Sequence, residues 1–283
     1  MNVNATPRRV DAHHHVWSLA RGDYEWLTPR LAPIYRDFTL ADAQVEIDAA
    51  RIDATVLVQA APTVAETEYL LGIANASGGV VGGVVGWVDL DDTDAIPTLE
   101  RLACDPLLKS IRPMLHNLAD ADWILRPQVT AALRTLPALG LRMDALVRPR
   151  ELPALLRLFE RLPELAVVID HGAKPDIASQ AWQPWADLTA TAATHPQVCC
   201  KLSGLVTEAG AGWTADSLRR YVDHLLACFG PQRLLWGSDW PVVNLAGGYM
   251  RWQEATETLL ATLSDAERDA VLGGSARRFY GFG

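Results

Sequence analysis

The chain has 283 residues, of which 49% are hydrophobic and 21% charged, a composition that is typical of a globular protein and excludes disordered and fibrous classes. Its formal net charge is −9 and it contains no cluster of Lys and Arg residues, so we expect neither nucleic acid nor a membrane as a partner. Because no signal peptide and no apolar run of the ~18 residues needed for a membrane span are visible, we expect a cytoplasmic protein.

Short apolar, β-branched segments alternate with helical patterns along the chain. Runs such as VVGGVVGWV and LLWGSD are almost continuously apolar, which is typical of parallel strands covered on both faces. The predicted strands are Val10–Trp17, Ala54–Gln59, Val80–Val88, Leu108–Met114, Leu141–Val147, Ala166–His171, Val198–Leu202 and Leu234–Trp240. The predicted helices are Leu40–Ala50 with Thr39 as its N-cap, Ala65–Ala76, Arg150–Leu162, Ala215–Phe229, Leu245–Leu263 and Asp265–Leu272.

Eight alternating β/α units in a chain of this length predict an α/β fold, a (β/α)8 TIM barrel formed by a single domain over residues 1–283. A doubly wound open sheet is the alternative that the pattern leaves open. The long segment 18–38 follows the first strand directly, at the end where barrel active sites lie. We expect this segment to form a wall of the pocket.

The segment DAHHHVW, residues 11–17, carries three consecutive histidines on the first predicted strand. Residues two apart on a strand share a face, so His13 and His15 point one way and His14 points the other way. Two imidazoles directed into a barrel can bind one cation. Asp11 shares the face of His13 in a regular strand, and we expect its carboxylate to orient an imidazole.

The segment VVIDHGAKP, residues 167–175, places His171 at the carboxyl end of the sixth predicted strand, the catalytic face of a barrel. A histidine there can act as a ligand, an acid or an electrophile. Because two other histidines are directed at the same lumen, we predict that His171 joins their site. Lys174 is a candidate for substrate binding if it reaches into the mouth of the barrel, and a solvated lysine is the alternative.

The segment LLWGSDWPV, residues 234–242, places Asp239 at the end of the last predicted strand. A carboxylate between Trp236 and Trp240 is costly to bury unless it is paired or bound to a metal. We predict that Asp239 is a general base, which activates water and passes the proton to the leaving oxygen. A capping role in a turn is the alternative.

The segment KSIRPMLHN, residues 109–117, brings Arg112 and His116 to the carboxyl end of the fourth predicted strand. A guanidinium in the mouth binds a carbonyl or a carboxylate through its fork of donors, and an outward salt bridge is the alternative. We predict that both residues contact the substrate.

Ten tryptophans are many for a chain of this length, and we expect several of them to line the pocket because sugar rings pack on aromatic faces. Trp26 and Trp87 are the candidates that we name for substrate binding. The minor candidates are Trp213, Asp144 and Arg148.

Together, D-x-H-x-H on the first strand, a histidine after the sixth and G-S-D-W-P on the eighth resemble the amidohydrolase superfamily. The segments DAHHHVW, YEWL, IRP, HGAKP and WGSDWPV are similar to its lactonase group. That group includes lactonases of sugar acids, such as L-fucono- and L-rhamnono-lactone, and 2-pyrone-4,6-dicarboxylate lactonases. The similarity extends from the first strand to the eighth and covers nearly the whole chain.

The resemblance implies roles by position. His13 and His15 match the pair on the first strand of the family, and His171 matches its histidine on the sixth. Asp239 matches the aspartate that is the family's base. Arg112 matches an arginine that contacts the carbonyl or carboxylate of the substrate.

Two-metal members of the superfamily carry a carboxylated lysine at the end of the fourth strand. Here Lys109 comes too early and Arg112 occupies the strand end, which argues against a two-metal centre. We therefore expect at most one divalent ion, zinc by ligand type, and some members of the lactonase group work without a metal. Its candidate ligands are His13, His15, His171 and Asp239.

The expected activity is hydrolysis of a sugar-acid lactone such as L-fucono-1,5-lactone. Water activated by Asp239 attacks the carbonyl, and a metal ion, or a protonated histidine with Arg112, stabilises the oxyanion. The alternatives are a 2-pyrone-4,6-dicarboxylate lactonase, a decarboxylase of aromatic acids and a non-catalytic barrel that binds a sugar or a metal. A dicarboxylate requires several arginines in the mouth, so the single Arg112 favours a neutral polyol ring. The oligomeric state stays open, and a homo-oligomer is compatible with the sequence.

Overall fold

Eight parallel strands form the centre of the molecule. The computed structural model describes residues 9–282, and within them each strand pairs in parallel with the next one along the chain. The strands are β1 (Val10–His14), β2 (Ala54–Val58), β3 (Val81–Gly86), β4 (Leu108–Ile111), β5 (Arg142–Ala145), β6 (Val167–Ile169), β7 (Val198–Leu202) and β8 (Leu234–Trp236).

The last strand returns to the first and closes the sheet. The Asp239 amide donates to the His13 carbonyl at 2.8 Å, and the His15 amide donates to the Trp240 carbonyl at 2.7 Å. His14 and Trp240 form a parallel bridge at the same place. The sheet is therefore a closed (β/α)8 barrel, as predicted, and the alternative of an open doubly wound sheet is wrong.

Helices surround the barrel and connect its strands. Within residues 9–282 the α-helices are α1 (Leu40–Ala50), α2 (Val64–Ala76), α3 (Ala95–Leu102), α4 (Pro127–Thr135), α5 (Leu152–Arg161), α6 (Trp185–Ala193), α7 (Leu205–Glu208), α8 (Ala215–Phe229), α9 (Tyr249–Leu259), α10 (Asp265–Asp269) and α11 (Ser275–Tyr280). The predicted bounds of α1 and α8 are confirmed. Thr39 caps α1 in a capping box, because its hydroxyl accepts from the Asp42 amide at 3.2 Å and its amide donates to the Asp42 carboxylate at 2.8 Å.

Most predicted strands extend too far at their carboxyl ends. β6 ends at Ile169 and β8 ends at Trp236, whereas the predicted strands continue to His171 and Trp240. His171 has φ 53° and Asp239 has φ 58°, so the left-handed backbone ends the extended structure at these positions. The residues that leave the strand pattern are the same residues that the sequence predicts for the site.

The predicted helix Leu245–Leu263 also begins too early. The chain first forms a 3-10 turn over Val242–Ala246, and then Gly247 and Gly248 follow with φ 104° and 91°. Only glycine adopts this backbone without strain, so α9 begins after the glycine pair. Beyond Asp269, the predicted helix Asp265–Leu272 continues as a turn of π-helix over Ala270–Gly274.

Two apolar layers cover the strands. Inside the barrel, β-branched residues such as Val56 and Val168 pack with Phe279 and Tyr280 of α11. Outside it, the leucine stripe of α5 packs on the sheet. Burying one side chain of this size contributes ~1.5–3 kcal/mol. Charged groups inside the barrel therefore lie away from water and require partners.

No helix among residues 9–282 has both the length and the apolar character that crossing a membrane requires. The predicted domain boundaries, 1–283, reach beyond the described residues at both ends. They stay a prediction.

Candidate active site

Four predicted side chains converge at the carboxyl end of the barrel. The Nε2 atoms of His13 and His15 are 3.2 Å apart. One carboxylate oxygen of Asp239 lies 3.3 Å from Nε2 of His15, 3.7 Å from Nε2 of His13 and 3.9 Å from Nε2 of His171. All four residues are buried. The structure therefore brings together the three histidines and the aspartate that the sequence predicts.

Hydrogen bonds on the far side of two rings set their directions. His15 Nδ1 donates to the Val58 carbonyl at 2.8 Å, so its Nε2 faces the cluster with a lone pair. Nδ1 of His171 lies 2.9 Å from the Ser203 hydroxyl, and its Nε2 again faces Asp239. These contacts orient the rings before any ligand binds.

Two glycines allow the cluster to form. A Cβ at Gly204 would lie 2.5 Å from Nδ1 of His171, and a Cβ at Gly237 would lie 2.7 Å from Cβ of His13. Only a residue without a side chain permits such close approach of the backbone.

A β-bulge explains why one expectation on β1 is wrong. Asp11 pairs with Thr55 of β2, but His14 pairs with Leu57, so β1 contains an extra residue between them. The alternation of side chains resets at the bulge, and the Asp11 carboxylate does not orient an imidazole. It accepts from the Ser238 amide at 2.8 Å and from the Tyr249 hydroxyl at 3.0 Å instead.

The Asp11 carboxylate also accepts from the His13 amide at 3.1 Å, so it supports the backbone of the site. Burial raises the pKa of Asp11 to about 6. The outward direction predicted for His14 fits its contact, in which its ring lies 2.9 Å from the Thr55 hydroxyl rather than in the cluster.

A layer of four charged residues lies deeper in the barrel. Lys201 donates to Asp144 at 2.5 Å and lies 3.0 Å from Asp170, while Arg112 donates to the other oxygen of Asp170 at 3.3 Å. The Tyr280 hydroxyl donates to Asp144 at 2.7 Å. The positive charges of two cations thus balance the negative charges of two carboxylates in a space that excludes water. An unpaired charge there would cost several kcal/mol.

The pKa values define the charge state of the cluster. Burial alone would raise the pKa of Asp239, but its interactions with His171 and His15 outweigh burial and hold that pKa well below its ordinary value. Burial lowers the pKa of His171 to about 4 and the pKa of His13 well below its ordinary value. At neutral pH the ionised carboxylate of Asp239 therefore faces the neutral imidazoles of His13 and His171, which is the state that binds a metal.

The cluster fits a divalent metal ion. Donor atoms around a tetrahedral zinc ion lie about 3.3 Å apart, given Zn–N and Zn–O distances near 2.0–2.2 Å. The separations of 3.2, 3.3, 3.7 and 3.9 Å within the cluster are close to this value. Imidazole nitrogen with a carboxylate oxygen is a ligand set of zinc. Within residues 9–282, His13, Asp170 and His171 form a second group with suitable spacing.

A cavity of about 850 Å³ opens at the same end of the barrel as the cluster, between the loops that follow β1, β2, β3 and β4, and none of the four cluster residues is among those that line it. Trp26, Trp87 and Trp123 form its aromatic lining. The ring of Trp26 lies 5.5 Å from that of Trp17, which lies 6.3 Å from the ring of His15. We call this cavity the cleft.

The segment 18–38 supplies part of the cleft wall, as predicted. Its residues Asp23 and Glu25 line the cleft, and Asp89 and Asp91 line it from the loop after β3. The cleft is therefore both aromatic and acidic.

The predicted substrate contacts divide into two groups. Trp26 and Trp87 line the cleft, whereas Arg112, His116 and Lys174 do not. Both terminal nitrogens of Arg112 have protein partners, because Nη1 donates to Asp170 and Nη2 donates to the carbonyl of Gln59, and only Nε has none among the described residues. Lys174 forms an ion pair with Glu208.

His116 lies on the side of the barrel that carries the cations. Burial, followed by the charges of Lys174, Arg112 and Arg148, lowers its pKa to about 3. Its Nδ1 is buried and has no hydrogen-bond partner among the residues described. The minor candidate Trp213 donates to the Ala246 carbonyl at 2.7 Å and does not line the cleft.

Sequence reasoning missed Lys201, Ser203 and the part played by Asp170. A signal for Lys201 exists, because it is the single charged residue of the apolar strand VCCKL. Alternation also places Lys201 on the face of Cys199, but it does not say which face is the lumen. Ser203 follows the strand without any distinguishing pattern.

Residues 10–282 match the model of the amidohydrolase family. The chain is 45% identical to the L-fucono-1,5-lactonase of Burkholderia ambifaria over 276 residues, which cover 96% of this chain and 95% of that protein. It is 34% identical to the L-fucono-1,5-lactonase of Burkholderia multivorans, with coverage of 96% and 95%.

The fold has a close parallel among solved structures. The crystal structure of an amidohydrolase from Burkholderia multivorans with bound zinc superposes with a TM-score of 0.91. That protein is 34% identical, and the match covers 98% of this chain and 100% of that one.

Proposed function

This chain belongs to the amidohydrolase family, and we propose that it is a lactonase that opens the ring of a sugar-acid lactone, with L-fucono-1,5-lactone as the best candidate. The observation that carries the proposal is the convergence of Asp239 with three histidines at the carboxyl end of the barrel. Two relatives that match this chain over 96% of its length are L-fucono-1,5-lactonases.

Zinc is the cofactor that we propose, held by some of His13, His15, His171 and Asp239. A bound divalent ion would supply positive charge, which makes water more acidic and stabilises the oxyanion that develops on the lactone carbonyl. This help matters because Asp239 has a depressed pKa and is a weak base toward free water. A lactone needs less electrophilic help than an amide, and the assay with and without chelator described below measures how far turnover depends on the ion.

The protein groups would act as follows. Asp239 accepts a proton from the attacking water as the C–O bond to the carbonyl carbon forms. When the bond to the ring oxygen breaks, Asp239 returns the proton to that oxygen, and the product is the open hydroxy acid. Neutral His171, held by Ser203, would direct its Nε2 to the reacting group, and Arg112 would contact the carbonyl, as the family resemblance implies.

The cleft supports a neutral, hydroxyl-rich substrate. Carboxylates such as Asp23 and Asp89 accept hydrogen bonds from sugar hydroxyls, and they repel a substrate that carries further carboxylates. Faces of Trp26 and Trp87 provide apolar area for the ring. These features favour a sugar lactone over 2-pyrone-4,6-dicarboxylate.

A panel of lactones tests the proposal. We expect acid release, followed with a pH indicator, to be fastest with L-fucono-1,5-lactone and other neutral sugar lactones, and slow with 2-pyrone-4,6-dicarboxylate. Each substrate is assayed on protein of measured metal content, with and without chelator, against its spontaneous hydrolysis. Release of carbon dioxide from aromatic acids without lactone turnover would identify a decarboxylase. Tight binding of a sugar acid without any turnover would identify a binding protein.

The cytoplasmic location, and the absence of nucleic acid and membrane as partners beside the small-molecule lactone, remain part of the proposal. A homo-oligomer is equally compatible with it. Size-exclusion chromatography with light scattering would measure the oligomeric state.

A further inference from the structure

The chain has three lysines, and one of them, Lys201, is fully buried inside the barrel. Its Nζ lies 2.5 Å from a carboxylate oxygen of Asp144, 3.0 Å from one of Asp170 and 3.1 Å from Nδ1 of His13. Two carboxylate oxygens and an imidazole nitrogen around one point are also the ligand set of a divalent metal ion. The ammonium therefore occupies a place that is built for a cation.

His13 connects this place to the proposed zinc site. Nε2 of its ring faces Asp239 and His15, at 3.7 and 3.2 Å. Nδ1 of the same ring faces Lys201 and Asp170, at 3.1 and 3.5 Å. One imidazole thus lies between two cation positions, an upper one at Nε2 and a lower one at Nδ1.

The charges of the lower position allow only one cation there. Asp144 and Asp170 are opposed by Lys201 and Arg112, all four of them buried. One oxygen of Asp144 accepts from both Lys201 and Tyr280. Burial raises the pKa of Asp144, whereas the charge and the hydrogen bond of Lys201 lower it and favour the ionised carboxylate. A metal ion in addition to the ammonium would leave uncompensated positive charge in a space that excludes water, which is costly.

We propose that the Lys201 ammonium is the resident cation of this barrel, in the place of a second metal ion. It restricts the centre to one ion, bound at Nε2 of His13, while Nδ1 of that ring keeps its proton and directs it to the Asp170 carboxylate at 3.5 Å. The proposal deepens the proposed function, since it rests on the upper position being a metal site. It also explains physically why the chain needs no carboxylated lysine on β4.

Counting bound metal tests the proposal without any substrate. Metal-free protein is saturated with Mn²⁺, and bound ions are counted from the loss of the electron paramagnetic resonance signal of free Mn²⁺. We expect wild type to bind one ion in the barrel and Lys201→Ser to bind one more, because the substitution removes the ammonium and leaves room for an ion. Lys201→Ser with Asp144→Asn should return to the wild-type count, since both a ligand and the excess negative charge are gone.

Lys109→Ser is the matched control. Lys109 lies outside the site, next to Gly83 and Arg142, and its loss should leave the count unchanged. Folding of each variant is checked by circular dichroism. A folded Lys201→Ser protein that binds no additional ion at saturating Mn²⁺ would overturn the proposal, and so would a wild-type protein that binds two ions in the barrel.

A second measurement uses wild-type protein alone and decides the matter if Lys201→Ser does not fold. With ¹⁵N-labelled lysine only three ammonium groups are visible, and Lys109→Arg and Lys174→Arg variants assign two of them. We expect a Lys201 ammonium signal that is protected from exchange with water and shifts when one equivalent of Zn²⁺ binds, because His13 contacts both cations. Absence of a protected signal, or a signal that Zn²⁺ does not move, contradicts the proposal.

The two proposals fail separately. If lactones are not hydrolysed but the metal counts are as expected, only the proposed function is wrong. If lactones are hydrolysed and Lys201→Ser binds no further ion, only the role of Lys201 is wrong.

Discussion

The buried cluster and the open cleft lie at the same end of the barrel, but they are built from different parts of the chain. His13 and Lys201 lie on strands, and Asp239 lies directly after one, so the barrel itself fixes their positions. The cleft is lined by the loops after β1 to β4, and its lining is aromatic and acidic. Barrel enzymes commonly separate chemistry and recognition in this way, with catalytic groups at strand ends and selectivity in loops.

Because the two regions are built differently, substitutions in them should change different kinetic constants. A change in the cluster removes an interaction made in the transition state and should lower kcat. A change in the cleft removes binding to substrate and transition state alike and should raise KM. Of the four predictions below, those on Asp239, Ser203 and Trp87 test this division and the one on Glu66 tests the electrostatics of the cleft wall. They run from the largest expected effect to the smallest.

Asp239→Asn should reduce kcat for L-fucono-1,5-lactone about 10³-fold, because general acid–base catalysis typically contributes 10²–10⁴-fold. KM should change much less. Steady-state kinetics at matched metal content measures both constants. Asp223→Asn, on the exposed face of α8, is the control with the same chemical change. Near-normal kcat in a folded Asp239→Asn protein would remove the assignment of the base.

The second prediction is about Glu66, which supports the wall of the cleft and takes no part in the chemistry. Its buried carboxylate accepts from the amides of Ala60 and Ala61, at 2.9 and 2.5 Å, next to Pro62 and Thr63 of the cleft. Burial raises the pKa of Glu66 from 4.5 to about 7. The unfolded chain therefore loses this proton first as the pH rises, and the folded state loses stability between pH 4.5 and about 7.

Glu66→Gln keeps a carbonyl oxygen that can accept the two amide hydrogen bonds, but its side chain does not titrate. Relative to this variant, wild type should lose on the order of 3 kcal/mol in free energy of unfolding between pH 4.5 and pH 8. Urea unfolding at the two pH values measures the difference, and other titrating groups cancel between the two proteins. Parallel pH curves for the two proteins would show that Glu66 is ionised in the cleft wall as it is in water.

Ser203→Ala tests whether the partner of His171 is part of the centre. The hydroxyl contacts Nδ1 of His171 at 2.9 Å and directs Nε2 to Asp239. Loss of such a partner typically costs 10–100-fold in metal affinity or activity. Zinc affinity by competition with a chelator and kcat should both fall, whereas the exposed control Ser179→Ala should match wild type. Unchanged zinc affinity in Ser203→Ala would mean that His171 is oriented by its left-handed backbone alone.

Trp87→Ala should raise KM about 10-fold with little change in kcat, because removal of one aromatic face in the cleft costs about 1.4 kcal/mol. Tyr35 is an exposed aromatic residue that does not line the cleft, and Tyr35→Ala should leave KM unchanged. A fall in kcat instead of a rise in KM would show that the cleft acts on the transition state, and the division drawn above would then be wrong.

Sequence reasoning predicted the barrel because eight apolar strands alternate with helices, and that period reflects burial on both faces. The sequence also predicts which side chains lie close together, because the carboxyl ends of all the barrel strands lie at one face even when they are far apart in sequence. His13 and Asp239 are separated by 226 positions along the chain and yet meet at 3.7 Å.

What the sequence could not supply depends on local backbone geometry. No residue in DAHHHVW indicates a β-bulge, so the sequence predicts a regular strand. The predicted direction of the Asp11 side chain is therefore wrong. The charged layer beneath the site was missed because alternation places Lys201 on one of two faces without saying which is the lumen. Partners of Lys201 come from β5 and from the end of β6, so only the closed barrel brings them together.

The most direct test of the account is the value of kcat/KM for L-fucono-1,5-lactone with zinc-loaded protein, corrected for spontaneous opening of the ring. The account predicts at least about 10⁴ M⁻¹s⁻¹, the lower end of the range for enzymes on their own substrates. A value that does not exceed that of Asp239→Asn under the same conditions would contradict it.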